Sequence, residues 1–544
     1  METDTEQKLR GGFYTPRPIA EFLAEWAISS GNEKILEPGC GNGNILLPAT
    51  KQLEENKGKI TGVEFYEVEA DKAEKRLLDN NIDPSLFKIV RDDFFKFCIN
   101  EHRWENKSYD AVIGNPPFIR YQDFDKKQRV RASEILENSG IHPTKQMNAW
   151  MPFLVGSVQL LRGEGGRLAM IIPAALMQVN YAEELREFLS RSFSRLTIIT
   201  FEKLVFDGIE EEVVLLLGET DGEESVGINV IELKDLSDLE SYTYEEFKHE
   251  DIKSLDHSTE KWTMYYLDNK EIELIRRLKK NTQLNSVGDY ADVNVGVVTG
   301  RNAFFVLDKE QVEEHGLKDY IKPIVSRSSH LGKGVKFAEE IYKKNKEEGK
   351  RCYLLNLPDK DASEFPNKVQ KYIQEGENKE YHKGYKCSIR DPWYKVPTTW
   401  TPDGFLLRQI HQYPKFVLNE TQATCTDTIH RVKFKENKEE MKNFFAVTHN
   451  SLTWAFSEFI GRSYGGGVLE LEPNEAEELP IPTSNWEKIS LNKVNQILKE
   501  KGPHGLLDYT DRILLKEGLD LSDKEIETLR NIWEKLHQRR INRN

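Results

Sequence analysis

The chain has 544 residues, of which 38% are apolar and 31% charged, with a net charge of −15. That length exceeds one ordinary domain and the apolar share is enough for real cores, so a disordered or fibrous chain is excluded and about two or three domains are expected. The acidity is local: residues 201–260 hold 19 acidic and 4 basic side chains, whereas residues 321–430 hold 19 basic and 14 acidic ones. Displacing counterions from phosphates needs a basic face rather than a basic whole, so nucleic acid stays open as a partner. Five scattered cysteines with no CxxC pair (Cys40, Cys98, Cys352, Cys387, Cys425) form neither a disulfide framework nor a zinc signature. The opening METDTEQKLR is polar, unlike a secretory signal, and no apolar run nears the ~20 residues of a membrane span. A cytoplasmic protein with no metal and no membrane partner is expected.

In chain order, PIAEFLAEWAISS predicts an amphipathic helix with Pro18 in its first turn. KILEPGCG predicts a strand running into a glycine loop, KITGVEFY a second strand, and VEADKAEKRLLDNN a surface helix. FKIVRDDFF, YDAVIGNPPF, RLAMIIPAAL and EEVVLLLGE predict further strands. Short apolar strands alternating with helices imply an α/β, Rossmann-like doubly wound parallel sheet, with ligands outside the carboxyl ends of its strands. From residue 219 to 260 the composition turns acidic and polar, which marks a connection, and EIELIRRLKKN opens the second part as a helix. Beyond it, VGVVTG, AFFVL and PKFVLNE suggest short strands of a mixed α+β domain, and the last ~45 residues are helical in pattern.

Chemistry-bearing residues fall at the predicted strand ends. Glu37-Pro38-Gly39-Cys40-Gly41-Asn42-Gly43 follows the first strand, where glycines let the backbone turn sharply beside a ligand. Glu64 closes the second strand, placed to accept hydrogen bonds from ribose hydroxyls. Asp93 follows the third, where it serves either an adenine amine or a helix N-terminus, with Phe94 beside it for stacking. These positions indicate a nucleoside cofactor without separating a nicotinamide from S-adenosylmethionine.

Asn115-Pro116-Pro117-Phe118 after the fourth strand decides between them. The prolines fix a rigid extended loop. An amine on a purine ring is a poor nucleophile because its lone pair is delocalised. The Asn115 side-chain oxygen and the Pro116 carbonyl can hold its two hydrogens and draw the nitrogen toward tetrahedral geometry, with the lone pair aimed at a methyl sulfonium. Phe118 offers the base a stacking face. Positioning and acceptor electrostatics carry such a transfer, with no covalent intermediate.

The order Gly12-Phe13-Tyr14-Thr15-Pro16, LEPGCGNG, Glu64, Asp93-Phe94 and NPPF resembles the γ class of N6-adenine DNA methyltransferases of restriction-modification systems, the TaqI type. The resemblance covers residues 11–217 closely. It continues faintly through Val298-Thr299-Gly300-Arg301-Asn302 and Tyr464-Gly465-Gly466-Gly467. It implies a catalytic domain binding S-adenosylmethionine at 1–220, an acidic connecting segment at 221–270, a target-recognition domain at 271–490 and a helical C-terminal segment at 491–544. It further implies that Thr15 meets the methionine end of the cofactor and that Glu37, Gly39 and Gly41 line its methionine and ribose region. Glu64 would take the ribose hydroxyls, and Asp93 and Phe94 the adenine ring. Asn115, Pro116 and Phe118 would grip a flipped-out adenine, and Phe206 in KLVFDG would stack on its other face. Phe118 stands where tyrosine is commoner in the class, and Asn42 occupies a variable position.

Two features point to an extruded base without the resemblance: aromatics on two loops near one sheet end, and the basic run Lys126, Lys127, Arg129, Arg131 suited to phosphates. In the second part Arg301, Arg327, Lys333, Lys336, Arg390 and Arg408 are the candidates for DNA contact. The expected partner is duplex DNA, with a separately encoded restriction endonuclease beside a monomeric enzyme. The alternatives are an RNA or protein-glutamine methyltransferase, whose chains are usually shorter, and a modification subunit that borrows its specificity, which usually carries helices before the first motif. A catalytically dead DNA-binding relative is disfavoured by the intact asparagine and glycine loop.

Overall fold

Eight short apolar stretches build one sheet. In a computed structural model, the described residues are 15–55, 57–103, 109–119, 123–144, 147–203, 205, 212–220, 227–241, 252–255, 260–397, 399–435, 437–464 and 466–542. The strands are β1 (Lys34–Pro38), β2 (Lys59–Glu64), β3 (Phe87–Arg91), β4 (Ala111–Gly114), β5 (Gly166–Pro173), β6 (Arg195–Phe201), β7 (Val213–Thr220) and β8 (Gly227–Leu233), in the spatial order β3-β2-β1-β4-β5-β7-β6-β8. The run from β3 to β5 is parallel. All four residues of β4 are buried, as a strand covered on both faces requires.

On one face lie α1 (Arg17–Ala27), α2 (Leu46–Gln52) and α3 (Glu67–Asp79). Pro16 and Pro18 open α1, which has no need of their missing N–H groups, and α1 buries Ile19, Leu23 and Trp26. Those side chains join Ile35, Ile113, Ile171 and Leu215 of the sheet in one apolar cluster. On the other face lie α4 (Phe94–Arg103), α5 (Lys126–Glu137) and α6 (Trp150–Leu160), packed on one another.

The sheet corrects the expectation in two ways. It is mixed rather than wholly parallel, because β7 runs antiparallel to both β5 and β6. It also has two strands not foreseen. RLTIITF forms β6, and GINVIEL, inside the stretch 221–270 expected only to connect, pairs with β6 over seven residues as β8. Its acidic neighbours hide that short alternating apolar run.

The chain divides into two compact units, one of Met1–Ile272 with Tyr464–Gly466 and Asn542–Asn544, the other of Glu273–Ser463 with Gly467–Ile541. The second unit holds a five-stranded sheet built from Ala291–Val295, Ile429–Phe434, Gly404–Leu407, Phe416–Asn419 and Lys336–Phe337. AFFVL is not one strand: Asn302–Phe305 is a helical turn and only Val306–Leu307 is extended, while PKFVLNE supplies Phe416–Asn419 as expected. The last residues are helical, through Leu491–Asp511 and Asp523–Ile541. Among the described residues no helix is long and apolar enough to cross a membrane, and no group of His, Cys, Asp and Glu could hold a metal.

Candidate active site

Register brings the predicted residues together. Pairing sets Glu37 opposite Gly62 and Pro38 opposite Val63 across β1 and β2, and Leu36 opposite Val112 across β1 and β4. Parallel strands so aligned deliver their next residues to one edge. The order also reverses between β1 and β4, which opens a crevice at their carboxyl ends. Thr15, Glu37, Gly39, Gly41, Glu64, Asp93, Phe94 and Asn115 all line this one cleft.

The glycine turn is shaped for a guest. Gly41 has φ +51°, and a Cβ there would meet no atom within 4 Å, so that side of the turn faces open space. Gly43, at φ +80°, answers to packing instead, because a Cβ would lie 3.2 Å from Ala73 of α3. The Gly41 N–H donates to Glu64 Oε2 at 2.9 Å, and the Tyr66 N–H donates to Oε1 at 2.8 Å. Glu37 is 2% exposed and its Oε2 has no partner. Burial, then the charge of Glu64, pushes the Glu37 carboxyl well above the usual carboxylate range. Burial also raises Glu64, against the pull of its N–H bonds. Two buried carboxylates with an unfilled acceptor suit a ligand rich in donors and positive charge, and S-adenosylmethionine, with its ammonium, sulfonium and ribose hydroxyls, fits that requirement.

The far wall is aromatic. Phe94 stacks on Phe153 with centroids 4.9 Å apart, and Phe95 meets Phe153 and Phe124 edge-on at 4.9 and 5.5 Å. Phe65 and Tyr66 line the same cleft with exposed rings. Asp93 is more committed than expected: Oδ1 accepts from the Phe95 N–H at 3.0 Å, capping α4, and Oδ2 accepts from Arg131 Nη1 at 2.8 Å. Arg131 is therefore the ion-pair partner of a cleft-lining carboxylate, with its side chain still partly exposed.

On the β4 side, Asn115 Nδ2 donates to Thr15 Oγ1 at 3.2 Å, and the Thr15 carbonyl accepts from Asn44 Nδ2 at 3.3 Å. Pro116 is buried. Phe118 is half-buried against the apolar cluster that holds α1 and is not in the cleft lining. Phe206 lies outside the described residues. Sequence reasoning missed Phe153, Phe124, Asn44 and the Arg131 partnership. It could have flagged Phe65-Tyr66, an aromatic pair directly after Glu64 at a strand end.

In the second unit three of the six cationic candidates are occupied. Arg390 donates to the Thr299 and Val298 carbonyls at 2.7 and 2.6 Å, Arg408 pairs with Glu472 at 2.9 Å, and Lys336 with Glu420 at 2.8 Å. Arg301, Arg327 and Lys333 are exposed.

Acceptors for a cationic nucleoside at one end and an asparagine loop at the other make this the cleft of an S-adenosylmethionine-dependent methyltransferase. Comparison with known proteins narrows the class. The N-6 DNA Methylase family matches residues 1–292, and the family of the C-terminal domain of the type II methyltransferase M.Eco57I matches residues 259–515. The type II methyltransferase M.AccI of Acinetobacter calcoaceticus is 26% identical over 535 residues, which cover 95% of this chain and 93% of that protein. M.HindII of Haemophilus influenzae is 26% identical over 59% of either chain. The solved type IIG restriction endonuclease BpuSI is 15% identical, with a TM-score of 0.39 over 97% of this chain and 65% of its own. The chain belongs to the N-6 DNA Methylase family. It is an adenine-specific DNA methyltransferase with S-adenosylmethionine as its methyl donor.

Proposed function

We propose that the loop Asn115–Phe118 receives a single adenine turned out of duplex DNA and directs methylation of its N6 at a specific site. The observation that carries this is the placement of Asn115 at the end of β4, in the lining of the cleft that holds Glu37 and Glu64. The amide nitrogen of Asn115 is the end turned to Thr15. Its Oδ1 and the Pro116 carbonyl accept the two N6 hydrogens, which localises the nitrogen lone pair. When bound, S-adenosylmethionine supplies an electrophilic methyl group on a positively charged sulfur. Glu37 and the Gly39–Gly41 turn orient its methionine and ribose region, Thr15 its methionine end, Glu64 its ribose hydroxyls, and Asp93 and Phe94 its adenine. The N6 proton leaves once the new N–C bond has formed, so Asn115 and Pro116 act by holding hydrogens and not as bases.

The resemblance assigns Phe118 and Phe206 to the two faces of the base, a role for which Phe118 would have to turn away from the apolar cluster it rests on. β6 runs parallel to β4 through its pairing with β7, so the two strands end at the same sheet edge. The γ-class assignment, a monomer working in the cytoplasm, and a separately encoded endonuclease complete this reading.

The test is sequencing of DNA from a methylation-free host that expresses the protein. Modified adenine in one short motif is the expected result. Asn115→Ala should lower transfer by about 10²–10³-fold or more, the scale of losing one aligned electrostatic contact, while calorimetry shows S-adenosylmethionine still bound. Full activity in that variant would remove Asn115 from the chemistry. Unmodified host DNA would shift the substrate to RNA, a protein glutamine, or DNA presented by a specificity partner.

A further inference from the structure

Large apolar side chains exposed in the second unit, among the described residues, are Tyr385 at 74% and Ile389 at 64%, four residues apart. Tyr385–Ser388 is one helical turn, opened by Tyr385 and closed by Ile389. Single exposed apolar residues are ordinary. These two differ because the backbone beneath them is fastened. Cys387 is fully buried, and Arg390 clamps the Val298 and Thr299 carbonyls with both terminal nitrogens. Gly300, at φ +81°, packs so tightly that a Cβ would lie 2.8 Å from Lys386 Cβ.

Cations flank the pair. Lys386 Nζ lies 5.5 Å from the Tyr385 ring centroid, and exposed Arg301 lies 4.7 Å over Tyr381. Nearby acids are mostly engaged, Glu380 by Lys383 at 2.6 Å and Glu377 by the Trp393 indole at 3.2 Å, and Asp391 stays exposed. A rigid apolar tip between cations is complementary to one partner above others: the stacked bases of a duplex between its phosphate strands.

We propose that the Val298–Arg301 corner and the Tyr381–Ile389 segment form one DNA-contacting element, with Tyr385 and Ile389 wedged against the stacked bases and Arg301 and Lys386 on phosphates. This rests on the DNA-methyltransferase reading. Arg390 is its positioning residue, held away from DNA.

The probe is a duplex oligonucleotide carrying the motif found modified in the expressing host. Tyr385→Ala with Ile389→Ser should weaken duplex binding by about tenfold or more, as loss of base stacking does, and lower kcat/KM for DNA in step. Circular dichroism and thermal unfolding should match the wild type, which certifies that the second unit is folded, and S-adenosylmethionine binding should be unchanged. Arg301→Ala should reduce the salt slope of binding by about one, whereas Lys343→Ala, whose ammonium faces Glu347, should not. If the wild-type protein methylates the duplex and the wedge variants match it in affinity and salt slope, this surface assignment is wrong. If the wild-type protein modifies no DNA at all, both the assignment and the reading beneath it fall.

Discussion

Glu37 and Glu64 of the first unit and three buried carboxylates of the second meet burial in opposite ways. In the second unit Glu458, Glu475 and Asp511 are each neutralised by an arginine. Both oxygens of Glu458 accept from Arg540 at 2.9 and 3.0 Å, Glu475 pairs with Arg462 at 2.9 Å, and Asp511 takes Arg530 at 2.8 Å and the Ser451 N–H at 2.9 Å. In the first unit Glu37 and Glu64 share a cleft, and among the described residues no arginine or lysine pairs with either. Charge that is buried and matched within the chain is architecture. A buried carboxyl that is unmatched within the chain escapes its desolvation cost by taking up a proton or by meeting a cationic guest.

The same chemical change should therefore do different things in the two units. Glu458→Gln strands Arg540, itself 2% exposed, without its counter-charge, and should cost about 3–5 kcal/mol in urea unfolding. Glu37→Gln removes no cation's partner and should cost far less stability. It should instead weaken S-adenosylmethionine by about 1.5–3 kcal/mol in calorimetry, the scale of a hydrogen bond to a charged group. Equal destabilisation by the two substitutions would collapse the distinction.

A pH series sharpens it. Because the folded chain holds the Glu37 carboxyl above its ordinary value, that site binds a proton the unfolded chain has already released. Stability should fall as pH rises from the usual carboxylate range toward the raised value. A cationic cofactor favours the ionised form, so its affinity should rise over the same window with release of a proton, measurable in buffers of different ionisation enthalpy. Glu37→Gln should flatten that rise.

The smallest effects separate the glycines. Gly43→Ala and Gly41→Ala both force a left-handed backbone on alanine, at about 1–2 kcal/mol. Only Gly43→Ala should add a packing loss, from its 3.2 Å approach to Ala73, and Gly41→Ala should register mainly in cofactor affinity. Thermal unfolding with and without S-adenosylmethionine reads both.

What the sequence made legible follows the range of the forces involved. Strands β1–β5 and the loops after them are encoded by local runs of apolar residues ending in glycine, acid or proline. β8 was hidden because its pattern is brief and its surroundings acidic. Asp93 was ambiguous between two uses, since capping and ligand binding demand the same residue, and its bond to Arg131 spans 38 positions with no periodic signal. Phe118 resting on the apolar cluster, and Phe153 facing Phe94, depend on how whole helices lie on the sheet. No spacing rule reports that.

The bond between Asp93 and Arg131 bears on binding as well as shape. Arg131 belongs to α5, the helix that follows the Asn115 loop, whereas Asp93 belongs to the cofactor side of the same cleft. A substrate that shifts α5 must stretch or tighten that bond, and by thermodynamic reciprocity the cofactor then changes the grip on that substrate by an equal factor. The coupling between the two ends of the cleft would then run through one ion pair that lies outside the chemistry itself.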